Sequence, residues 1–377
     1  MIYYVADKKE AKHMYEITIT IPVYNAGKYL GDLLESIIHQ TFDYHKIEVI
    51  MVDDCSTDNS RDVMDDYAAK YENFISVKLD KNHKIAGTAR NKGMELAHGK
   101  YLMFADADDF YPEDAIQVMY DTIENKQADF IIANYINTDE DGTLWEKPIF
   151  NTQKYQEFRL DIRDYTKSFF VLNGSSCNKI YRRDFVQKHH IQFLEGVPAE
   201  DAYFVNGCFL NSKTAYYIPH IMYCYRQIDS HKGASVSHMR SKGYFEGINT
   251  AYKAIYEEFK EKGQLAFYRY TYAKNMSYML YKFIDSEVLS YEEKVEVLKE
   301  MRWFYCLSES LKVPACQRAQ QMIVEKIIQE KYNDAINYCE IVRDIRSYLP
   351  KQVKEDMSRP DAEMYQNISQ HDKEYQE

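Results

Sequence analysis

Short apolar runs and segments with helical periodicity alternate strictly between residues 17 and 135. The apolar runs resemble buried strands in their β-branched content, and they lie at 17–22, 48–52, 74–79, 101–105 and 129–135. Apolar residues three and four positions apart predict helices at 26–40, 58–70, 86–97 and from Pro112 onward. Such alternation predicts a parallel sheet with helices on both faces. The sequence therefore predicts an α/β fold here.

The pattern changes further along the chain. Residues 138–239 are mixed, with short predicted strands at 179–181, 215–218 and 222–226 and a helix over 201–210. Beyond residue 239 helical periodicity dominates, in the segments 244–260, 267–285, 291–307 and 316–330. Ser290 and Glu293 form a capping-box pattern for one of these helices. The tyrosines of this region are expected either in its core or on a binding face: Tyr268, Tyr272, Tyr278 and Tyr281.

These changes define the expected domains. We expect an α/β domain over 1–240 that includes a lead-in over 1–15, an all-helical domain over 241–350, and a polar tail over 351–377. No run of about 18 apolar residues occurs, so no transmembrane helix is expected, and the start of the chain lacks a signal-peptide pattern.

Charge and cysteine content exclude several classes of protein. Lys and Arg number 47 against 59 Asp and Glu, and the net charge of −12 disfavours a nucleic-acid partner. The seven cysteines are odd in number, widely spaced and without a CxxC pair, which predicts reduced thiols in the cytoplasm. The sequence lacks GxGxxG, Walker A, nucleophile-elbow and HExxH motifs, which argues against dinucleotide oxidoreductases, P-loop enzymes, serine hydrolases and zinc proteases.

Acidic clusters follow two of the predicted strands. Asp53 and Asp54 come after the second strand, and Asp106, Asp108 and Asp109 come after the fourth. Ligands bind at the carboxyl ends of strands in such sheets. Three carboxylates within four residues repel one another, and Mg²⁺ or Mn²⁺ would relieve that repulsion. The alternative is that these side chains only cap the helices that follow.

Two basic stretches and one acidic pair lie further along. Residues 177–190 and 223–242 each carry a net charge of +3, and the second, which contains Ser235, is typical of a diphosphate-binding surface or of ordinary solvated charge. Glu200 and Asp201 open a predicted helix after Pro198. Either carboxylate could cap that helix or act as a general base in a cleft.

Several motifs in register resemble the family 2 glycosyltransferases of GT-A fold. They are T-I-P-V-Y-N at 20–25, V-D-D-C-S-T-D at 52–58, A-R-N-K-G at 89–93 and F-A-D-A-D-D at 104–109. Segments 178–181, 199–204 and 223–226 with Ser235 resemble the bacterial wall teichoic acid and capsule branch. Within it the nearest likeness is to poly(ribitol-phosphate) N-acetylglucosaminyltransferases. The segment after residue 240 resembles no family that we can name.

The resemblance implies a fold, a reaction and a set of site residues. It implies a Rossmann-like nucleotide-sugar-binding domain with a mostly parallel sheet, and an inverting, metal-dependent transfer from a UDP-sugar to a hydroxyl of a cell-wall or surface polymer or glycan. Asp201 is implied as the catalytic base, and Asp108 with Asp106 as ligands of Mn²⁺ or Mg²⁺. The implied donor-binding residues are Pro22, Tyr24, Asp54, Asn82, Arg90, Asp106, Lys179, Arg226 and Ser235.

Two other functions fit the sequence less well than glycosyl transfer. An inactive nucleotide-sugar-binding scaffold that acts through its helical domain would not be expected to keep Asp106, Asp108, Asp201 and Arg226 together. A nucleotidyltransferase would carry a Gly-rich basic loop after the first strand, where this chain has Gly27 as its one glycine between residues 24 and 28. We therefore expect a cytoplasmic enzyme that works at the inner membrane face on a polymeric or lipid-linked acceptor. The helical domain is the candidate for a sugar-binding face or for an oligomer interface.

Overall fold

The computed structural model describes residues 15–164, 167–228, 240–313 and 318–348. The chain divides into two compact units, Met1–Ala234 and Ser235–Glu377. The first unit contains the sheet and its covering helices, and the second contains helices. Within the described residues, no helix is both long enough and apolar enough to cross a membrane.

A nine-stranded sheet forms the centre of the first unit in the described part of the chain. The strands are β1 Ile17–Val23, β2 Ile47–Asp53, β3 Phe74–Lys78, β4 Tyr101–Phe104, β5 Phe130–Thr138, β6 Leu144–Pro148, β7 Phe158–Arg159, β8 Lys179–Arg182 and β9 Ala215–Arg226. Their order in the sheet is β3-β2-β1-β4-β8-β5-β9-β7, and β6 pairs with β5. Strands β3, β2, β1, β4, β5 and β9 share one direction, because β8 runs antiparallel to both β4 and β5.

The central strands end at a common edge. Every residue of β2 and β4 is buried, as expected for strands covered on both faces, which explains their continuous apolar runs. Val23 pairs with Asp53, and Thr20 pairs with Phe104. The acidic segments after β2 and β4 therefore emerge at the same edge of the sheet, as the sequence predicted.

Two features of the sheet differ from the expectation. Strand β8, far along the chain, lies between β4 and β5, which are consecutive in sequence. The two short strands predicted at 215–218 and 222–226 form one strand, β9, with a register shift opposite Ala133 and Asn134. Pro219 lies in that irregular part, where a missing backbone donor is tolerated.

Seven described helices belong to the first unit. They are α1 Leu30–Ile38, α2 Ser60–Lys70, α3 Gly87–Leu96, α4 Ala115–Lys126, α5 Ser168–Val171, α6 Arg183–Lys188 and α7 Glu200–Asn211. Helix α3 packs very close to β1, because a Cβ atom on Gly93 would lie 2.0 Å from the Thr20 methyl carbon. The preceding turn of α3, which carries Arg90, reaches the edge of the sheet at which the acidic segments emerge, called the functional edge below.

The second unit is helical where it is described. Its helices are α8 Lys242–Glu261, α9 Leu265–Ile284, α10 Tyr291–Ser310, α11 Arg318–Ile328 and α12 Tyr332–Ser347. The capping box of Ser290 and Glu293 is present at the start of α10, as predicted. The hydroxyl of buried Tyr272 donates to the Phe304 carbonyl at 2.8 Å. Tyr268, Tyr272 and Tyr281 belong to the core of the unit, whereas Tyr278 is partly exposed.

The Gly93 contact generates a stability prediction. Gly93→Ala should lower the free energy of unfolding by about 1–3 kcal/mol, because the added methyl group collides with Thr20. Gly31→Ala is the matched control, since a Cβ there meets no described atom within 4 Å, and it should stabilise the protein by up to about 1 kcal/mol. Urea unfolding of both variants measures the difference. Equal effects of the two substitutions would contradict the close packing of α3.

Candidate active site

One buried guanidinium group holds three carboxylates together at the functional edge. Arg90, on α3, is 3% exposed. Its Nη1 atom donates to Glu200 Oε1 at 2.9 Å and to Asp201 Oδ1 at 2.5 Å, and its Nη2 atom donates to Asp106 Oδ1 at 2.6 Å. The Phe193 ring lies 5.4 Å from the guanidinium carbon. Charge pairing offsets part of the cost of burying these ions, and loss of Arg90 would leave three neighbouring carboxylates without their shared cation.

Asp201 has a second set of partners. The backbone N–H and the hydroxyl of Ser176 both donate to Asp201 Oδ2, at 3.2 Å and 3.3 Å. Ala199, just before α7, has a left-handed backbone with φ +65°, which turns the chain so that Glu200 and Asp201 face Arg90 together. Arg90 and Ser176 thus hold the carboxylate of Asp201, the residue that the family resemblance implies as the base.

Burial and the charges of neighbouring carboxylates raise the pKa values of both carboxyl groups on α7. Burial raises the pKa of Asp201, and Arg90 opposes that shift. Burial and the Asp201 charge raise the pKa of Glu200 to about 7. A carboxylate with a raised pKa is a better proton acceptor near neutral pH than an ordinary one.

The D-x-D loop, residues 105–110, is joined to the end of β9. The Asp106 N–H donates to the Tyr223 hydroxyl at 2.9 Å, and the Arg226 N–H donates to Asp109 Oδ1 at 2.8 Å. Phe110 and Cys224 exchange backbone hydrogen bonds in both directions. Asp109 is fully buried, and Asp106 retains 35% side-chain exposure. Asp109 therefore anchors the loop, while Asp106 stays open to a ligand.

The D-x-D carboxylates suit a divalent cation. Burial, and next the Asp106 charge, raise the pKa of Asp108 to about 6, so the two side chains repel each other. No group of three or more His, Cys, Asp or Glu side chains is arranged to hold a metal ion in the described part of the chain. The protein thus offers two carboxylates, the donor set of a hard cation that also takes phosphate oxygens and water.

Two loops interlock beside the end of β1. Asn25 Oδ1 accepts from the Thr57 N–H at 2.8 Å, and Ser56 Oγ accepts from the Asn25 N–H at 3.0 Å. Asp58 Oδ2 accepts from the Gly27 N–H at 3.0 Å. These bonds hold the backbone that directly follows Tyr24, a residue that is 52% exposed. Pro22, two residues earlier, is half-buried. The side chains of Pro22 and Tyr24 are therefore available to a planar ligand.

Asp54 shapes the neighbouring loop. Its carboxylate accepts from the backbone N–H groups of His83 and Lys84 and from the His83 ring at 3.0 Å, and its carbonyl accepts from the Asn82 amide. The structure brings together Asp54 and Asn82, two of the donor-binding residues that the resemblance implies. It also adds His83, for which the sequence carried no signal.

The two cations expected at a diphosphate bind oxygens of their own chain. Lys179 is fully buried, and its ammonium group donates to Asn173 Oδ1, the Ser175 carbonyl and Asn178 Oδ1 at 2.5–2.7 Å. Lys179 thus orders the loop that carries Ser176. The Arg226 guanidinium donates to Asp32 Oδ2 and to the Glu140 carbonyl. Ser235 lies outside the described residues.

The raised pKa of Glu200 generates a pH prediction. A carboxyl group whose folded-state pKa is raised from 4.5 to about 7 keeps its proton after the unfolded chain has released one, so stability falls as pH rises through that window. Glu200→Gln removes this contribution to the pH dependence of the free energy of unfolding, which amounts to at most about 1.4 kcal/mol per pH unit. Melting of parent and variant between pH 5 and 7.5 should show a flatter dependence for the variant. Parallel curves would contradict the shift.

Comparisons with known proteins agree with this geometry. The profile described as glycosyl transferase family 2 matches residues 18–189. EpsH of Bacillus subtilis is 32% identical over 249 residues, which are 64% of this chain and 67% of EpsH. The glycosyltransferase GlyG of Streptococcus pneumoniae is 40% identical over 130 residues, 34% of this chain and 42% of GlyG. This chain therefore spans less than half the length of GlyG.

Two further comparisons extend into the helical unit. The poly(ribitol-phosphate) beta-N-acetylglucosaminyltransferase TarP of Staphylococcus aureus is 28% identical over 76% of this chain and 86% of TarP. The crystal structure of S. aureus TarS 1–349 with UDP superimposes with a TM-score of 0.68 at 19% identity, over 89% of this chain and 93% of that chain. The structural match establishes the GT-A fold, and the sequence matches establish that the chain belongs to the family 2 glycosyltransferases.

Proposed function

We propose that this chain transfers a sugar from a UDP-sugar to a hydroxyl group of a cell-wall or surface polymer, with inversion at the anomeric carbon. The observation that carries the proposal is the Arg90 cluster, which joins Asp201 to Asp106 through one guanidinium group. A base and a donor-site carboxylate are thereby held at the same edge of the sheet. TarS has been crystallised with UDP and with UDP-GlcNAc, which supports the choice of a uridine donor.

On the donor side, we assign Pro22 and Tyr24 to the uridine, and Asp54 and Asn82 to the loop that encloses it. Mn²⁺ or Mg²⁺ held by Asp108 and Asp106 would supply positive charge to the diphosphate as the bond to the sugar breaks. The repulsion that raises the pKa of Asp108 supports this assignment. The diphosphate leaves with the electron pair of that bond.

On the acceptor side, we assign Asp201 as the general base. Arg90 and Ser176 hold its carboxylate, so the acceptor hydroxyl can deliver its proton there as its oxygen attacks the anomeric carbon. Attack on the face opposite the leaving diphosphate inverts that carbon. One base and one displacement suffice, so the reaction requires no covalent intermediate.

The proposed class of acceptor is inferred from the names of similar proteins. TarP and TarS are named as poly(ribitol-phosphate) N-acetylglucosaminyltransferases, and a Bacillus relative as a poly(ribitol-phosphate) beta-glucosyltransferase. We propose a surface polymer or its lipid-linked precursor as acceptor, at the inner membrane face. We further propose that a helical domain over 241–350 serves acceptor binding or self-association. The complete Arg90 cluster favours an enzyme over an inactive scaffold.

Metal dependence of nucleotide binding tests the donor side. At 100 times its Kd, UDP with Mn²⁺ should stabilise the protein by about 2.7 kcal/mol. Asp108→Asn should lose the Mn²⁺-dependent part of this gain, whereas Asp121→Asn, an exposed aspartate of α4, should keep it. Thermal melting with UDP, GDP, CDP and dTDP, each in Mn²⁺ and in EDTA, measures the effect. Equal protection in Mn²⁺ and EDTA would overturn the metal assignment, and preference for another nucleotide would overturn the uridine.

Separation of binding from turnover tests the base. Asp201→Asn keeps the side-chain shape and one accepting oxygen for Arg90, although its NH2 group replaces the oxygen that accepts from Ser176. Because the amide cannot take up the proton, turnover should fall by roughly 10²–10⁴-fold. Binding of UDP should stay within about twofold of the parent. Release of UDP from UDP-GlcNAc and UDP-glucose, with poly(ribitol phosphate) as acceptor, measures turnover. Asp184→Asn, an exposed first-turn aspartate of α6, is the matched control. Equal loss of binding and turnover would remove Asp201 from the base role.

A further inference from the structure

Arg226, the last residue of β9, occupies a closed site of its own. Its side chain is buried, and its Nη2 atom donates to Asp32 Oδ2 at 2.9 Å while its Nη1 atom donates to the Glu140 carbonyl at 2.8 Å. The guanidinium carbon lies 4.9 Å from the centre of the Tyr29 ring and 5.4 Å from that of Phe110. The cation is thus held between two aromatic rings, and its charge is paired with a carboxylate.

A second set of bonds encloses this site from the outside. The Lys28 ammonium group and the Tyr29 hydroxyl both donate to Glu140 Oε1, at 2.6 Å and 2.8 Å. Helix α1 and the turn between β5 and β6 are thereby tied together around Arg226. A diphosphate could reach the guanidinium group only after these contacts are broken. Breaking them would cost free energy, because the buried Arg226 charge would lose its partners.

The backbone of the same residue holds the D-x-D loop. The Arg226 N–H donates to Asp109 Oδ1, and Asp109 directly follows Asp108. Two residues earlier, Cys224 exchanges backbone hydrogen bonds with Phe110, the ring that covers the guanidinium group. The Arg226 side chain is therefore coupled to the D-x-D loop through the Phe110 ring and through the end of β9.

We propose that Arg226 is a positioning residue, which with Asp32, Tyr29, Glu140 and Phe110 holds the D-x-D loop in place, and that it makes no direct contact with the diphosphate. The consequence for metal binding rests on the proposed function. The effect on the loop does not, since it follows from contacts within the chain. Asp32, on the first turn of α1, is then part of the donor site although it touches neither nucleotide nor metal.

Local amide exchange tests this assignment without metal or nucleotide. Asp32→Ala and Arg226→Lys should each speed hydrogen exchange in peptides over 106–111 by about fivefold or more, because both variants loosen the anchor of Phe110 and Asp109. Asp62→Ala is the matched control, as Asp62 is exposed and holds the same third position of α2. It should leave these peptides unchanged. Peptides over 179–188, which contain none of the substituted residues, should exchange alike in all variants, which separates loosening of the loop from global destabilisation.

A second measurement distinguishes positioning from direct contact. If Arg226 acts through the loop, Asp32→Ala and Arg226→Lys should both weaken Mn²⁺ binding, and the ratio of UDP to UMP affinity in EDTA should stay within about twofold. Unchanged exchange over 106–111 in both variants would overturn the proposal. A collapse of the UDP to UMP ratio in Arg226→Lys alone would also overturn it. Failure of the parent to bind UDP would instead count against the proposed function, and the exchange result would still decide this inference.

Discussion

The site depends on a single buried cation. Arg90 is the point where the D-x-D carboxylate of Asp106 and the α7 carboxylates of Glu200 and Asp201 meet. Its two terminal nitrogens divide the acceptors, with Glu200 and Asp201 on Nη1 and Asp106 on Nη2, and the single ammonium nitrogen of a lysine offers no such separation. Helix α3 is also tightly packed before Arg90. Gly87 lies one turn before Arg90, and a Cβ there would stand 2.1 Å from the Leu194 carbonyl oxygen.

An excess of negative charge gives this site its chemistry. Three carboxylates share one guanidinium group, and Asp108 adds a fourth nearby. Burial and repulsion together raise the pKa values of Asp108, Glu200 and Asp201. The arrangement is therefore unfavourable by itself and becomes favourable when protons or a divalent cation add positive charge. Catalytic sites commonly hold such groups, because a charge that is poorly satisfied in the resting protein can act on a substrate.

The two arginines expected at the donor site have different roles in the structure. The sequence placed both near the nucleotide, because each lies in a motif that resembles the family. The contacts show Arg90 between base and D-x-D, and Arg226 between α1, the β5–β6 turn and the D-x-D loop. Lys179, also expected at the donor site, has a third role, because its ammonium group binds the Ser175 carbonyl and orders the loop that carries Ser176. No local pattern could reveal these partners, which lie 16 to 194 positions away for the two arginines.

The sequence by itself determined the strand and helix pattern, the edge at which the acidic segments emerge, and the residue types that could carry the reaction. These follow from periodicity and from the rule that parallel strands end together. Tertiary structure alone decided the insertion of β8 between β4 and β5, the union of two predicted strands into β9, and the partner of each buried charge. The physical reason is that a buried ion is stable only beside a partner that is close in space. The residues that supply that partner are far away in sequence, so only the folded chain brings them together.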